Sequence, residues 1–172
     1  VPLSLINGRE ILSENLSQKE AQARALSFAE EHGFPSMEPT YWVLQDGKYV
    51  FNLAYTEDGV RCYPDLVKVA VAADTGEVVE FSADGFVANH RDRSLKTPAH
   101  TAEEAAAAAS PKLRVESSRR AVIPTLSGEV QAYELHCRGE EGEHLLLYLH
   151  ADTLEEEAIF FLEESASGVL VQ

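Results

Sequence analysis

The sequence is poor in cysteine, in basic residues and in long apolar runs, and each shortage closes off a class of protein. Two cysteines, Cys62 and Cys137, occur in 172 residues. No C-x-x-C is present and the two are not matched in position, so no disulfide framework is written here; whether they bridge each other stays open. Lys and Arg number 14 against 29 Asp and Glu, a formal net charge of -15. Nucleic acids and anionic membranes reward clustered cations, so neither is an expected partner. The acidic excess reads as a solvated exterior. No run of ~18 apolar residues is present, so no membrane-spanning helix is expected. The opening Val1-Pro2-Leu3-Ser4-Leu5-Ile6 lacks Met and lacks a basic stretch followed by an apolar one. It reads as the end of a strand in a piece of a longer protein, with residues 1–14 the tail of a preceding unit.

The signatures of catalysis are missing too. There is no G-x-S-x-G, no P-loop, no G-x-G-x-x-G and no H-E-x-x-H. Carboxylate pairs such as Glu140-Glu141 and Glu155-Glu156-Glu157 fall in turn-like, solvated stretches, whereas acid–base work needs carboxyls in different environments. The turn Asp74-Thr75-Gly76-Glu77 lacks the alternating ligand series of a calcium loop. Of six histidines, His144 and His150 share a strand face and His136 lies on a neighbouring strand. They read as exposed histidines on a polar sheet face, so no metal, no cofactor and no catalytic residue is expected.

What the chain does contain is a duplication. Ser17-Gln18-Lys19-Glu20 and Thr101-Ala102-Glu103-Glu104 each fit a capping box at the start of an Ala-rich helix. Ala21, Ala25, Phe28 and Ala29 share one face of the first helix, and Gly33 ends it. Ser110-Pro111 stops the second helix after two to three turns. Strand patterns follow each helix: Thr40–Gln45, Tyr49–Tyr55, Val67–Val71 and Val78–Phe81 in the first repeat. In the second they are Ala121–Pro124, Gln131–Cys137, Glu143–His150 and Ala158–Leu162, with a last apolar piece at Val169–Val171. Asp46-Gly47 and Asp58-Gly59 are hairpin turns. The repeats are read as residues 15–88 and 101–172, joined by a polar linker, 89–100.

Ser17 precedes Thr101 by 84 residues, Phe51 precedes Tyr133 by 82, Gly59 precedes Gly142 by 83 and Asp74 precedes Asp152 by 78. The drop places about five extra residues in the first repeat, roughly Cys62-Tyr63-Pro64-Asp65-Leu66. Proline in a strand pattern belongs at an edge or a bulge, so this insert reads as a bulge or an edge loop. Consecutive strands joined by short turns must be antiparallel and need a cover, which each helix supplies. The expected class is α+β in duplicate.

Helix, hairpin strands and a closing Asp-x-Gly-Glu turn resemble the PepSY module. Pro39-Thr40-Tyr41, the stretch Ala54–Val69 and Asn89-His90 resemble the C-terminal region of the YpeB family of spore germination proteins, as do Ile123-Pro124, Tyr133-Glu134 and Glu155-Glu156-Glu157 in the second repeat. One departure is Leu154, where the closing turn usually has Gly. The resemblance implies two tandem PepSY-like units, each a helix packed on an antiparallel sheet. It implies a non-enzymatic partner of a spore cortex-lytic enzyme of the SleB type. The protein would stabilise, localise or restrain that enzyme on the outer side of the inner spore membrane or in the cortex, through an N-terminal membrane anchor absent from this chain. An alternative is a PepSY-type peptidase inhibitor. Candidate partner-binding residues are Tyr55, Tyr63, Pro64, Asp65 and His90.

Overall fold

The computed structural model describes residues 3–172. The chain order is β1 (Ser4–Ile6), α1 (Gln18–Glu31), β2 (Met37–Gln45), β3 (Lys48–Glu57), β4 (Val60–Ala72), β5 (Val78–Ser82) and α2 (Asp84–Asn89). It continues with α3 (Ala102–Ala108), β6 (Arg114–Thr125), β7 (Gly128–Arg138), β8 (His144–His150), β9 (Glu156–Ser165) and β10 (Gly168–Val171). The strand expected at the start is β1, except that Val1 and Pro2 lie outside the described residues.

Both helices begin as their capping boxes dictate. Ser17 accepts from the Glu20 N–H while Glu20 reaches back to Ser17, and Thr101 and Glu104 do the same for α3. Ala21, Ala25 and Ala29 are fully buried on one stripe of α1, small enough to let the helix lie close to its strands. They pack with Phe34, Tyr49, Phe51, Leu53, Val67, Val69, Val71 and Phe81 in a first core. A second core joins Ala105 of α3 to Tyr133, Leu135, Cys137, Leu145, Leu147, Leu149 and Ala151. Cys62 and Cys137 are buried and are not joined in a disulfide. Asp46-Gly47 and Asp58-Gly59 take positive φ at both positions, as a two-residue hairpin turn requires.

The expectation of two separate helix-on-sheet units is corrected. Strands make up 49% of the chain and helices 16%. Hydrogen-bonded neighbours run β1-β5-β4-β3-β2-β10-β9-β8-β7-β6, and β4 also pairs with β6. The order from β4 through β3, β2, β10, β9, β8 and β7 to β6 thus closes on eight strands. Two pairings that local pattern could not announce are responsible. Gly168 of β10 pairs with Val43 of β2, and Arg61 and Cys62 of β4 pair in parallel with Ala121 and Val122 of β6. Short turns force antiparallel neighbours only within a hairpin; strands far apart in sequence are free to pair in parallel.

The stretch read as a bulge or edge loop is strand, not loop. Cys62–Leu66 is continuous strand inside β4, which has 13 residues where β8 has 7. β4 pairs with β6 at Arg61 and Cys62 and with β5 from Lys68 to Val71, so Pro64 falls where β4 passes from one neighbour to the other, and its carbonyl accepts from the Asn89 side chain.

By contacts the chain forms two units that cut across the repeats. The first runs through Glu57, then takes Pro64–His90 and Glu164–Leu170. The second takes Asp58–Tyr63, Arg91–Glu163 and Val171–Gln172.

Candidate functional site

The five residues singled out in the sequence fall into two clusters, one in each unit. In the first unit, Tyr55, Pro64, Asp65 and His90 gather where α2 meets β4. Gly85 permits the approach, because a Cβ there would come within 3.0 Å of the Leu66 carbonyl oxygen. Asn89 then donates to the Pro64 carbonyl at 3.1 Å and the Gly85 carbonyl at 2.8 Å. The carboxylate of Asp65, fully buried, accepts from His90 Nδ1 at 2.7 Å. A carboxylate only accepts, so this bond puts the proton on Nδ1. The imidazole stacks on Phe86 at 4.2 Å, and the Tyr55 ring stands edge-on to it at 4.8 Å. The cluster fastens a short helix to a strand: an unpaired buried carboxylate would be costly, and His90 supplies its partner.

Tyr63 lies in the second unit. Its hydroxyl donates to Glu134 of β7 in a short bond and accepts from Arg61 at 3.2 Å. Tyr148 of β8 donates to the same Glu134 oxygen at 2.6 Å, and its ring meets Tyr63 edge to face. Arg61 approaches the other Glu134 oxygen at 3.8 Å. Glu134 and Arg61 are 6% and 9% exposed, which makes this a desolvated charge pair with two phenols completing it. Burial, then the Glu134 charge, raise the Tyr63 phenol above its ordinary range. Sequence reasoning missed the network, although one signal was there. Glu134 is an acidic residue in mid-strand, on the face opposite the core residues Tyr133 and Leu135.

The same second unit brings together two of the histidines read as exposed on a sheet face, and both are half-buried. His136 Nε2 and His144 Nδ1 lie 3.2 Å apart across the β7–β8 hairpin. Glu116 of β6 stands beside them, its carboxyl held below the usual range by hydrogen bonds from Arg114 and Arg138. Burial raises the thiol of Cys137, on the core face of β7 next to His136.

Comparison with known proteins completes the description. A family model described as YpeB sporulation, PepSY1 and PepSY2 domains, matches residues 1–96, more than half of the chain. The sporulation protein YpeB of Halalkalibacterium halodurans is 35% identical over 165 residues, covering 95% of this chain and 37% of that protein. The YpeB of Bacillus subtilis is 34% identical over 161 residues, covering 92% and 36%. The chain thus spans little more than a third of the length of these relatives, which are named as sporulation proteins and not as enzymes. The solved structure of the Bacillus megaterium YpeB C-terminal domain superposes with a TM-score of 0.84 at 31% identity, over 95% of this chain and 73% of that one. Among the described residues no helix is long and apolar enough to cross a membrane. Family model, sequence relatives and solved structure agree: the chain belongs to the YpeB family of sporulation proteins.

Proposed function

We propose that the chain is a non-enzymatic, partner-binding module of spore germination that stabilises, localises or restrains a spore cortex-lytic enzyme of the SleB type. Its place would be the outer side of the inner spore membrane or the cortex. The observation that carries this reading is in β9. Three consecutive large residues, Ile159, Phe160 and Phe161, are 41%, 38% and 52% exposed. Successive strand residues face opposite ways, so Ile159 and Phe161 share one face of β9 and Phe160 lies on the other, its ring against Tyr148. Single exposed apolar residues are ordinary, but two large neighbours on one strand face mark a surface that gains from a protein partner. Membership of the YpeB family of sporulation proteins supports a role in the spore, and the buried carboxylates of Asp65 and Glu134 are engaged in internal bonds.

The test is biolayer interferometry of this chain against a purified SleB-type hydrolase. Binding with Kd of about 10 μM or tighter is expected, weakened about tenfold or more in the double variant I159S/F161S. No binding by the unaltered chain at about 100 μM, roughly -5.5 kcal/mol, would remove the reading.

A further inference from the structure

We propose that Glu116, His136 and His144 form a binding site for a zinc-like divalent cation, with two imidazoles and one carboxylate as ligands. The site is made by a flaw in the sheet. Val115 pairs with Cys137 and Ser117 with His136, so Glu116 is the extra residue of a β-bulge in β6. A bulge re-aims the side chain it carries, and here the carboxylate turns toward the β7–β8 hairpin. His136 pairs with Leu146 and His144 with Arg138, placing the imidazoles diagonally on one face, opposite the core face that holds Leu135, Cys137 and Leu145. The ligand atoms of all three residues lie within 4.8 Å of one another.

The spacing suits a small tetrahedral ion. Zinc at about 2.0–2.1 Å from each nitrogen holds two ligands about 3.3–3.4 Å apart. His136 Nε2 and His144 Nδ1 are already 3.2 Å apart, and Glu116 Oε2 is 3.9 Å from His144 Nδ1. A side-chain adjustment of Glu116 would bring the carboxylate onto a shared ion, since the three ligand atoms already lie within 4.8 Å of one another. Two imidazole nitrogens in contact can also share a single proton; the second Glu116 oxygen, turned toward the same pair, makes the contact a three-ligand set. Imidazole donors favour zinc, copper and nickel over calcium and magnesium, which take oxygen ligands. Three protein ligands leave the fourth position to water or to a partner's side chain.

The opposing charges are Arg114 and Arg138, which bond Glu116 Oε1 at 2.6 and 3.0 Å. Both are solvent-exposed, so their repulsion is screened, and both use Oε1, leaving Oε2 toward His144. The His144 and Glu116 side chains are 25% and 24% exposed: shielded, yet reachable by an ion from solvent.

The experiment is calorimetric titration of Zn2+ into the chelator-stripped chain, with excess Mg2+ present to occupy the many surface carboxylates. One zinc per chain is expected, with H136N and H144N each weakening binding about tenfold or more. R138Q, which keeps all three ligands and removes a repelling charge, should tighten it several-fold. Co2+ provides a reading that needs no variant: intense visible bands of four-coordinate cobalt support the site, and the faint spectrum of hydrated octahedral cobalt overturns it. Zinc uptake that is equal in the wild-type chain and a folded H136N/H144N double variant, or no uptake at all, also overturns it.

Discussion

The two repeats agree at one corner and differ across one face. At the corner, Tyr49 of β3 donates to the Leu16 carbonyl at 3.1 Å, and Tyr133 of β7 to the His100 carbonyl at 2.6 Å. Each carbonyl belongs to the residue before a helix N-cap, and both pairs lie 84 residues apart. The backbone around the cap then bonds the carbonyl of Ala73 in one repeat and of Ala151 in the other. On the opposite sheet face the likeness ends. Val50, Ala70, Ala72 and Val79 form a small apolar cluster in the first repeat. The residues matching Val50 and Ala70 in the second are Glu134 and Tyr148, which form the buried polar network, and His136 and His144 share that face. The common corner builds the fold; the face that changed carries the chemistry peculiar to the second repeat.

The largest effect should come from breaking that difference at its centre. Glu134→Ala removes the buried carboxylate that Arg61, Tyr63 and Tyr148 share, a loss of about 3–5 kcal/mol. Val50→Ala, at the matching position, removes two methyl groups from a partly buried site and should cost about 1–2 kcal/mol. Urea denaturation midpoints at unchanged m measure both. Equal losses would mean that the Glu134 bonds add nothing beyond the packing of an apolar side chain at the same place.

The closing turns test the corner itself. Gly76 has φ +76, and the matching Leu154 adopts φ +61 despite its side chain. A Cβ on Gly76 would come within 2.9 Å of Leu16 Cδ2, so Gly76→Leu adds steric conflict to the strain of a left-handed backbone, about 2–4 kcal/mol in all. Leu154→Gly relieves about 1 kcal/mol of strain while losing a contact with the second core, and should change stability by less than about 1 kcal/mol. Thermal melts of the reciprocal pair decide it; similar shifts would show that the turns are interchangeable. Tyr49→Phe and Tyr133→Phe should each cost about 1 kcal/mol, and by similar amounts if the corner is one design used twice.

Much of the corner was legible in the sequence because its signals are local. Ser17-x-x-Glu20 and Thr101-x-x-Glu104 specify their own geometry, and Asp-Gly pairs write their own turns. Register was less legible. Matching Phe51 to Tyr133 by strand alternation is two residues out, and two residues preserve the face, so no pattern betrays the slip. The structure matches Tyr49 to Tyr133 through the carbonyls they bind. Pro64 suggested an irregularity, yet β4 continues through it to reach β6. That pairing joins residues about 60 apart, beyond what periodicity records. The meeting of Glu116, His136 and His144 needed both a bulge and a diagonal across a hairpin, and neither is written in residue spacing.

The smallest expected effect concerns how each corner holds its turn carboxylate. Asp152 accepts the Ala99 backbone N–H at 2.8 Å, a neutral donor. Asp74 instead receives two bonds from the Arg9 guanidinium, at 2.7 and 2.9 Å, and Arg9 also reaches Glu77 at 2.8 Å. Arg9 holds the Asp74 carboxyl well below the usual range, and Asp74 with Glu77 raises the Arg9 guanidinium further. A carboxyl depressed in the folded state contributes stability that is complete above its unfolded value, about 4, and is lost as pH falls toward the folded value. Arg9→Gln should therefore lower stability modestly at pH 7, with the gap to wild type narrowing steadily below pH of about 4. Salt should shrink the same gap, because the pair is near the surface. Denaturation curves at several pH values read this directly. A gap that stays constant into acid would assign the role of Arg9 to its packing and neutral hydrogen bonds, making the two corners alike in kind.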